Sequence, residues 1–110
     1  MQTSDKVLNM LGMAQRAGRV AAGEFSAEKM IQSGKARSVL VAEDASDNTK
    51  KCFRDKCLFY NIPFAMFATK DRLGHAIGKE MRAVIALSDE GLSKAVFRLL
   101  EQIGGEKHES

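Results

Sequence analysis

The sequence has no tryptophan, one tyrosine, one proline and two cysteines in 110 residues. Cys52 and Cys57 lie five apart, which is not the spacing of a CxxC pair. On a helix they would sit ~140° apart around the axis, at ~100° per residue, an arrangement that suits neither a disulfide nor a shared metal. They read as small core or boundary residues. No uninterrupted apolar run is longer than Ala83–Leu87, far short of the ~20 residues that cross a bilayer. The start of the chain, Met1-Gln-Thr-Ser-Asp5, lacks a basic region followed by an apolar stretch, so no secretory signal is expected and the expected location is cytoplasmic. Repeats, low-complexity tracts and Pro/Ser linkers are absent as well.

The familiar constellations of catalysis are also missing. There is no GxSxG and no Walker loop. His75 and His108 have no partner at metal-ligand spacing, so no metal is expected. Gly74 and Gly78 bracket His75 but fit neither the dinucleotide nor the phosphate-loop fingerprint; close helix packing is their reading. Carboxylates cluster at Glu43, Asp44 and Asp47, where helix capping explains them. No catalytic residue, cofactor or small-molecule substrate is expected.

What is present is one domain's worth of chain. At 45% apolar and 28% charged residues, the composition is too apolar for a disordered chain. A chain of this length buries roughly 60–70% of its unfolded surface, enough for one core. A single domain is expected over residues 1–103. The stretch Gly104–Ser110 has the composition of a frayed tail.

Apolar spacing places a helix over Ser4–Ala17, with Val7, Leu8, Leu11 and Ala14 inward and Ser4 or Asp5 as its cap. A short strand follows at Val20–Ala22, then a helix over Gly23–Ser33 with a weak stripe of Ala27, Met30 and Ile31. Ser38–Ala42 reads as a strand buried on both faces. The next helix runs to about Tyr60, with Cys52, Phe53, Cys57 and Tyr60 inward. Phe64–Phe67 reads as a second buried strand. Thr69 caps a short helix that Gly78 closes. Ala83–Leu87 is a third buried strand. Ser88-Asp89-Glu90 starts a last helix striped by Leu92, Val96, Leu99 and Ile103. Buried strands alternating with amphipathic helices make an α/β domain, with helices on both faces of a largely parallel or mixed sheet.

The net charge of +3 permits a nucleic-acid partner without requiring one. Gly23-Glu-Phe-Ser26 opens a helix, whose unpaired N–H groups and partial positive charge can hold a phosphate or a base edge. Lys29 lies one turn on. Glu24 and Glu28 oppose an RNA backbone. A second basic segment, Lys79–Arg82, precedes the third buried strand. The Lys50, Lys51, Arg54 and Lys56 face reads as solvent decoration. On these residues, nucleic-acid binding and an ordinary solvated surface both stand.

The ordered set Gly23-x-x-Ser26-x-x-Lys29, Val39–Ala45, Tyr60–Pro63, Leu73–Gly78 and Ala83–Leu87 resembles the ribosomal protein family known as "L-seven-Ae/L-thirty-e". The likeness covers about residues 5–100. The segments Ala17–Val20, Ala45–Lys51, Asp55–Cys57 and Ile77–Glu80 resemble its bacterial YlxQ-like branch. The resemblance implies a three-layer α-β-α sandwich with a small mixed sheet of about four strands, and no catalysis. It implies binding of structured, kink-turn-like RNA, with ribosomal RNA and the ribosome as the expected partners. Carried over, Gly23 allows close backbone approach, Lys29 meets a phosphate, and Lys79, Met81 and Arg82 cover an extruded bulge nucleotide. Glu24, Phe25 and Ser26 complete the helix start, and Arg19 and Lys6 lend phosphate contacts. The best-known kink-turn binders have Asn-Glu where this chain has Phe25-Ser26. Ser26 is a shorter, uncharged acceptor, and Phe25 either stacks on a base or packs as an apolar plug on Met30. The rival reading is a protein–protein interaction module on the same fold.

Overall fold

The computed structural model describes residues 2–109, with only the backbone described for 105–109. The elements alternate as expected: α1 (Thr3–Arg16), β1 (Val20–Ala22), α2 (Glu24–Gln32), β2 (Ser38–Val41), α3 (Asp47–Tyr60), β3 (Phe64–Met66), α4 (Lys70–Ala76), β4 (Val84–Leu87) and α5 (Glu90–Glu109). The helix α5 thus continues through most of the stretch expected as a tail, whose side chains after residue 104 lie outside the described residues.

The strands form one mixed sheet in the order β1-β4-β2-β3. β4 runs antiparallel to both neighbours, pairing Val20 with Leu87 on one side and Ser38 with Leu87 on the other. β2 and β3 are parallel, with Val39 opposite Phe64 and α3 as their crossover. α2 and α3 cover one face; α1, α4 and α5 pack together on the other. This is the three-layer α-β-α sandwich.

Strand position explains the burial. β2 and β4 are central, and all eight of their residues are buried. That suits their continuous apolar runs, since both faces are covered by helices. β3 corrects an expectation: it is the edge strand, Phe64 and Ala65 are half-buried, and Met66 is exposed. Val7, Leu11 and Ala14 from α1, Ala27 and Ile31 from α2, Phe53 and Cys57 from α3, and Val96 from α5 fill the two interfaces. Full burial of each large aliphatic or aromatic side chain contributes about 1.5–3 kcal/mol. The buried Ser38 hydroxyl donates to that of Ser93 at 2.7 Å and ties β2 to α5 without leaving either group unpaired.

Helix ends refine the sequence reading. Gln2, not Ser4 or Asp5, holds the N-cap position of α1, and it supplies no side-chain cap. Asp5 instead pairs with Arg72 of α4 at 3.4 Å. Asp89, not Ser88, caps α5: its Oδ2 accepts the Leu92 N–H at 2.7 Å. On α3, Phe53 and Cys57 point inward, but Cys52 and Tyr60 are exposed. Cys52 lies ~100° around the axis from Phe53 and so leaves the stripe; Tyr60 is the last helical residue, followed by Asn61 in the left-handed conformation.

Candidate nucleic-acid interface

At one end of the sheet, β1 and β2 finish and β4 begins. Gly23 N–H donates to Val84 O at 2.8 Å, and Ala42 N–H donates to Ala83 O at 2.8 Å. These bonds bring the start of α2, the start of α3 and the segment before β4 to one place. Between them lies a cleft of about 420 Å³, lined by Gly23, Glu24, Ser46, Thr49, Lys70, Met81 and Arg82, with Ala45 and Ala83.

Gly23 turns the chain from β1 into α2 with φ of 93°, a conformation that side-chain-bearing residues rarely adopt. The capping of the helices that begin here is uneven. Ser46 caps α3 through the Thr49 N–H at 3.1 Å. Thr69 caps α4, and Asp44 Oδ1 accepts the Lys70 N–H at 2.8 Å, so the carboxylate run does cap, though across to α4. No side chain caps α2. Its first N–H groups therefore remain donors for something outside the chain.

The outer face of α2 carries Phe25, 73% exposed, with Lys29 Nζ 4.7 Å from its ring centroid. Such exposure excludes the apolar-plug reading; Met30 packs towards the core without it. Phe25 is held as an open aromatic platform beside a cation. The two carboxylates that counted against RNA have partners. Glu28 pairs with Lys56 of α3 at 3.7 Å, and Glu24 Oε1 accepts from Thr49 Oγ1 at 2.8 Å. Ser26 is exposed on the first turn.

The segment Lys79–Arg82 is held from beneath by Gly74. A Cβ at Gly74 would lie 1.7 Å from Glu80 O, so only glycine lets α4 pass under the loop. Lys79 N–H donates to Gly74 O at 2.8 Å and Arg82 N–H to Lys70 O at 3.0 Å. Arg82 Nη1 donates to Met81 O at 2.9 Å, folding the guanidinium over its own loop and leaving Met81 55% exposed. Met81 and Arg82 line the cleft by α2 and also a second of about 500 Å³ towards α4; Lys79 lines only the second, with Asp71, His75 and Glu80.

The fold thus gathers Gly23, Glu24, Met81 and Arg82 in one cleft, with Phe25, Ser26 and Lys29 on the adjoining helix face and Lys79 behind the loop. It does not bring Arg19 there. Arg19 precedes β1, and its carbonyl accepts the Ser88 N–H at the opposite end of the sheet, ~13 Å away at ~3.3 Å per strand residue. Lys6 is exposed on the first turn of α1 and does not line the cleft. Ser46, Thr49 and Lys70 were missed. Ser46 lay in the run read for capping and Lys70 followed a capping threonine; only the parallel pairing of β2 and β3 sets their loops side by side.

The family model of the ribosomal protein L7Ae/L30e/S12e/Gadd45 family matches residues 5–97. The RNA-binding protein YlxQ of Bacillus subtilis (strain 168) is 41% identical over 92 residues, covering 84% of this chain and 92% of that one. A solved Bacillus halodurans C protein of unknown function superposes with a TM-score of 0.84 at 38% identity, covering 87% of this chain and 97% of the other. The Giardia lamblia 15.5kD RNA binding protein shares the fold, with a TM-score of 0.76 at 21% identity over 94% of this chain and 88% of its own.

Proposed function

This chain belongs to the ribosomal protein L7Ae/L30e/S12e/Gadd45 family, and from that premise we propose that it is a non-catalytic, ribosome-associated RNA-binding protein that recognises kink-turn-like RNA. The observation that carries the reading is the uncapped start of α2, opening into a cleft with Lys70 and Arg82 beside the exposed pair Phe25 and Lys29. The free N–H groups and the lysines position a phosphate backbone, which carries no sequence information. Phe25 supplies a stacking face. The Met81–Arg82 edge covers the extruded bulge nucleotide, since a splayed base needs both an apolar surface and a polar rim. Among the described residues no helix is long and apolar enough to cross a membrane.

The test is a titration against a kink-turn RNA and a control with its sheared G·A pairs replaced, at two salt concentrations. Tight binding to the first alone supports kink-turn recognition with Phe25-Ser26 in the reader position. Equal binding to both, with a steep salt dependence, replaces it with general backbone binding. No binding to either defeats the RNA reading. The rival, a protein-interaction module, draws on one feature: Leu58 and Phe59 on the last turn of α3 are 80% and 82% exposed. Native purification with and without RNase separates the two, because only the RNA reading makes the co-purifying material RNase-sensitive.

A further inference from the structure

Resting on the RNA-binding reading of the cleft, one residue still lacks a role there. Glu24 places a negative charge on the wall of a cleft otherwise suited to a polyanion. It is also held in place. Ser46 Oγ donates to Thr49 Oγ1 at 2.9 Å, and Thr49 Oγ1 donates to Glu24 Oε1 at 2.8 Å. Thr49 is itself buried, so this relay is anchored in the packing of α3. Among the described residues, Glu24 Oε2 has no hydrogen-bond partner within the chain.

A carboxylate is an acceptor only. It gains nothing from a phosphate and needs an N–H or O–H donor from whatever enters the cleft. Base edges supply such donors. Uracil N3–H and guanine N1–H are imino donors at the centre of the Watson–Crick edge, and guanine adds its amino group beside it. Cytosine and adenine place an acceptor nitrogen at that centre, where it would face the carboxylate lone pairs. Met81, exposed and lining the same cleft from the loop before β4, offers an apolar contact for the face of the base. We propose that Glu24, held by Thr49 and Ser46, is the specificity-determining residue of this cleft and accepts the imino N–H of an extruded uracil or guanine. Its place in the chain differs from that of the glutamate of the best-known kink-turn binders, whose position Ser26 occupies here.

The experiment measures wild-type and Glu24→Gln protein against kink-turn RNAs that differ only in the extruded nucleotide: uracil, guanine, cytosine, adenine or N3-methyluracil. Wild type is expected to favour uracil and guanine over the other three by about tenfold, the discrimination of one well-made base-edge contact. Glu24→Gln, matched in size, is expected to flatten that ranking. Thr49→Val, which frees the carboxylate but keeps its charge, is expected to flatten it too, with melting temperatures confirming that both variants fold. A wild-type protein without preference, or a preference that survives Glu24→Gln, overturns the assignment. So does a Glu24→Gln protein that binds all five RNAs more tightly by the same factor, the signature of a carboxylate that only repels phosphate. Failure of wild type to bind any of the five overturns the RNA reading of the cleft, and this assignment with it.

Discussion

At the end of the sheet where β1 and β2 stop and β4 starts, α2, α3 and α4 all begin; at the other end α1, α2 and α3 finish and only α5 begins. The first end therefore presents helix N–H groups and partial positive charge, and the second presents helix carbonyls and partial negative charge. Side-chain charge does not divide the same way, since Arg19, Arg37 and Lys94 lie at the second end. Lys29, Lys70 and Arg82 gather at the first end. The second carries the exposed Leu58 and Phe59, and a cavity of about 540 Å³ lined by Arg37, Tyr60, Glu90, Lys94, Phe97 and Glu101 among others. The difference teaches that chain direction alone polarises this fold: strand ends that lead into helices set the N-termini of α2, α3 and α4 on one edge, and that edge offers the donors a polyanion would need.

If the first end binds and the second only supports, substitutions at the two ends should fall into separate classes. The largest effect is expected at Gly74→Ala. The new Cβ would meet the Glu80 carbonyl, and backbone cannot step aside as a side chain does. A loss of about 3 kcal/mol follows from such overpacking, with a fall in melting temperature of about 10 °C or more. RNA binding should fall as well, because the Met81–Arg82 wall is displaced. A stable Gly74→Ala protein that binds RNA normally would separate the loop from the site.

Next come two substitutions of comparable size in different assays. Ser93→Ala leaves the buried Ser38 hydroxyl without its partner, at a cost of about 1–3 kcal/mol in folding stability. The Ser38→Ala/Ser93→Ala double variant should recover much of it in urea unfolding, with RNA affinity untouched throughout. Phe25→Ala should do the reverse: RNA binding weaker by about 1–3 kcal/mol, the range for base stacking, with stability unchanged, since Phe25 is exposed. Its control at the other end is Phe59→Ala, equally exposed, for which both assays should agree with wild type within about 0.5 kcal/mol. Loss of RNA affinity in Phe59→Ala would extend the interface to the far end and erase the comparison.

A smaller effect is expected from Lys29→Ala, which should lower the slope of log affinity against log salt by ~0.7–0.9, one phosphate contact's worth. An unchanged slope removes Lys29 from the backbone contacts. The smallest lies inside the support. Burial of Cys57 pushes its thiol up from the ordinary 9.0 to about 11. The folded state then keeps a proton that the unfolded chain releases, so this contribution to stability is whole below pH 9 and fades as the pH rises towards 11. Urea midpoints at pH 8 and above pH 10 read it, and Cys57→Ala should reduce the difference. RNA affinity for the variant at pH 8 should not change.

Much of this molecule was legible in the chain. The stripe Val7, Leu11, Ala14 and the solid runs in β2 and β4 announced helix and buried strand, because periods of 3.6 and 2 are local properties of the backbone. Gly74 reads as a position of close packing, and it lies directly against the Glu80 carbonyl. Legibility failed wherever a neighbour had to be known. β3 has as apolar a run as β4, yet it is half-exposed because it has a partner on one side only. Ser88 reads as the capping hydroxyl of α5 and Asp89 as a first-turn carboxylate; Asp89 caps instead, because Ser88 is drawn to the Arg19 carbonyl.

The sequence by itself determined the alternation of helices and strands, the turn at Gly23 and the outward placement of Lys29 on α2, each set by residues within a few positions. Tertiary structure alone decided which loops share a cleft. β4, the last strand in the chain, inserts between β1 and β2, and β3 pairs parallel to β2. That order brings Arg82 to Gly23, Lys70 to Asp44 and Thr49 to Glu24. These contacts span from 25 to almost 60 residues of chain, a distance over which local periodicity carries no information and only the packing of the whole sheet chooses.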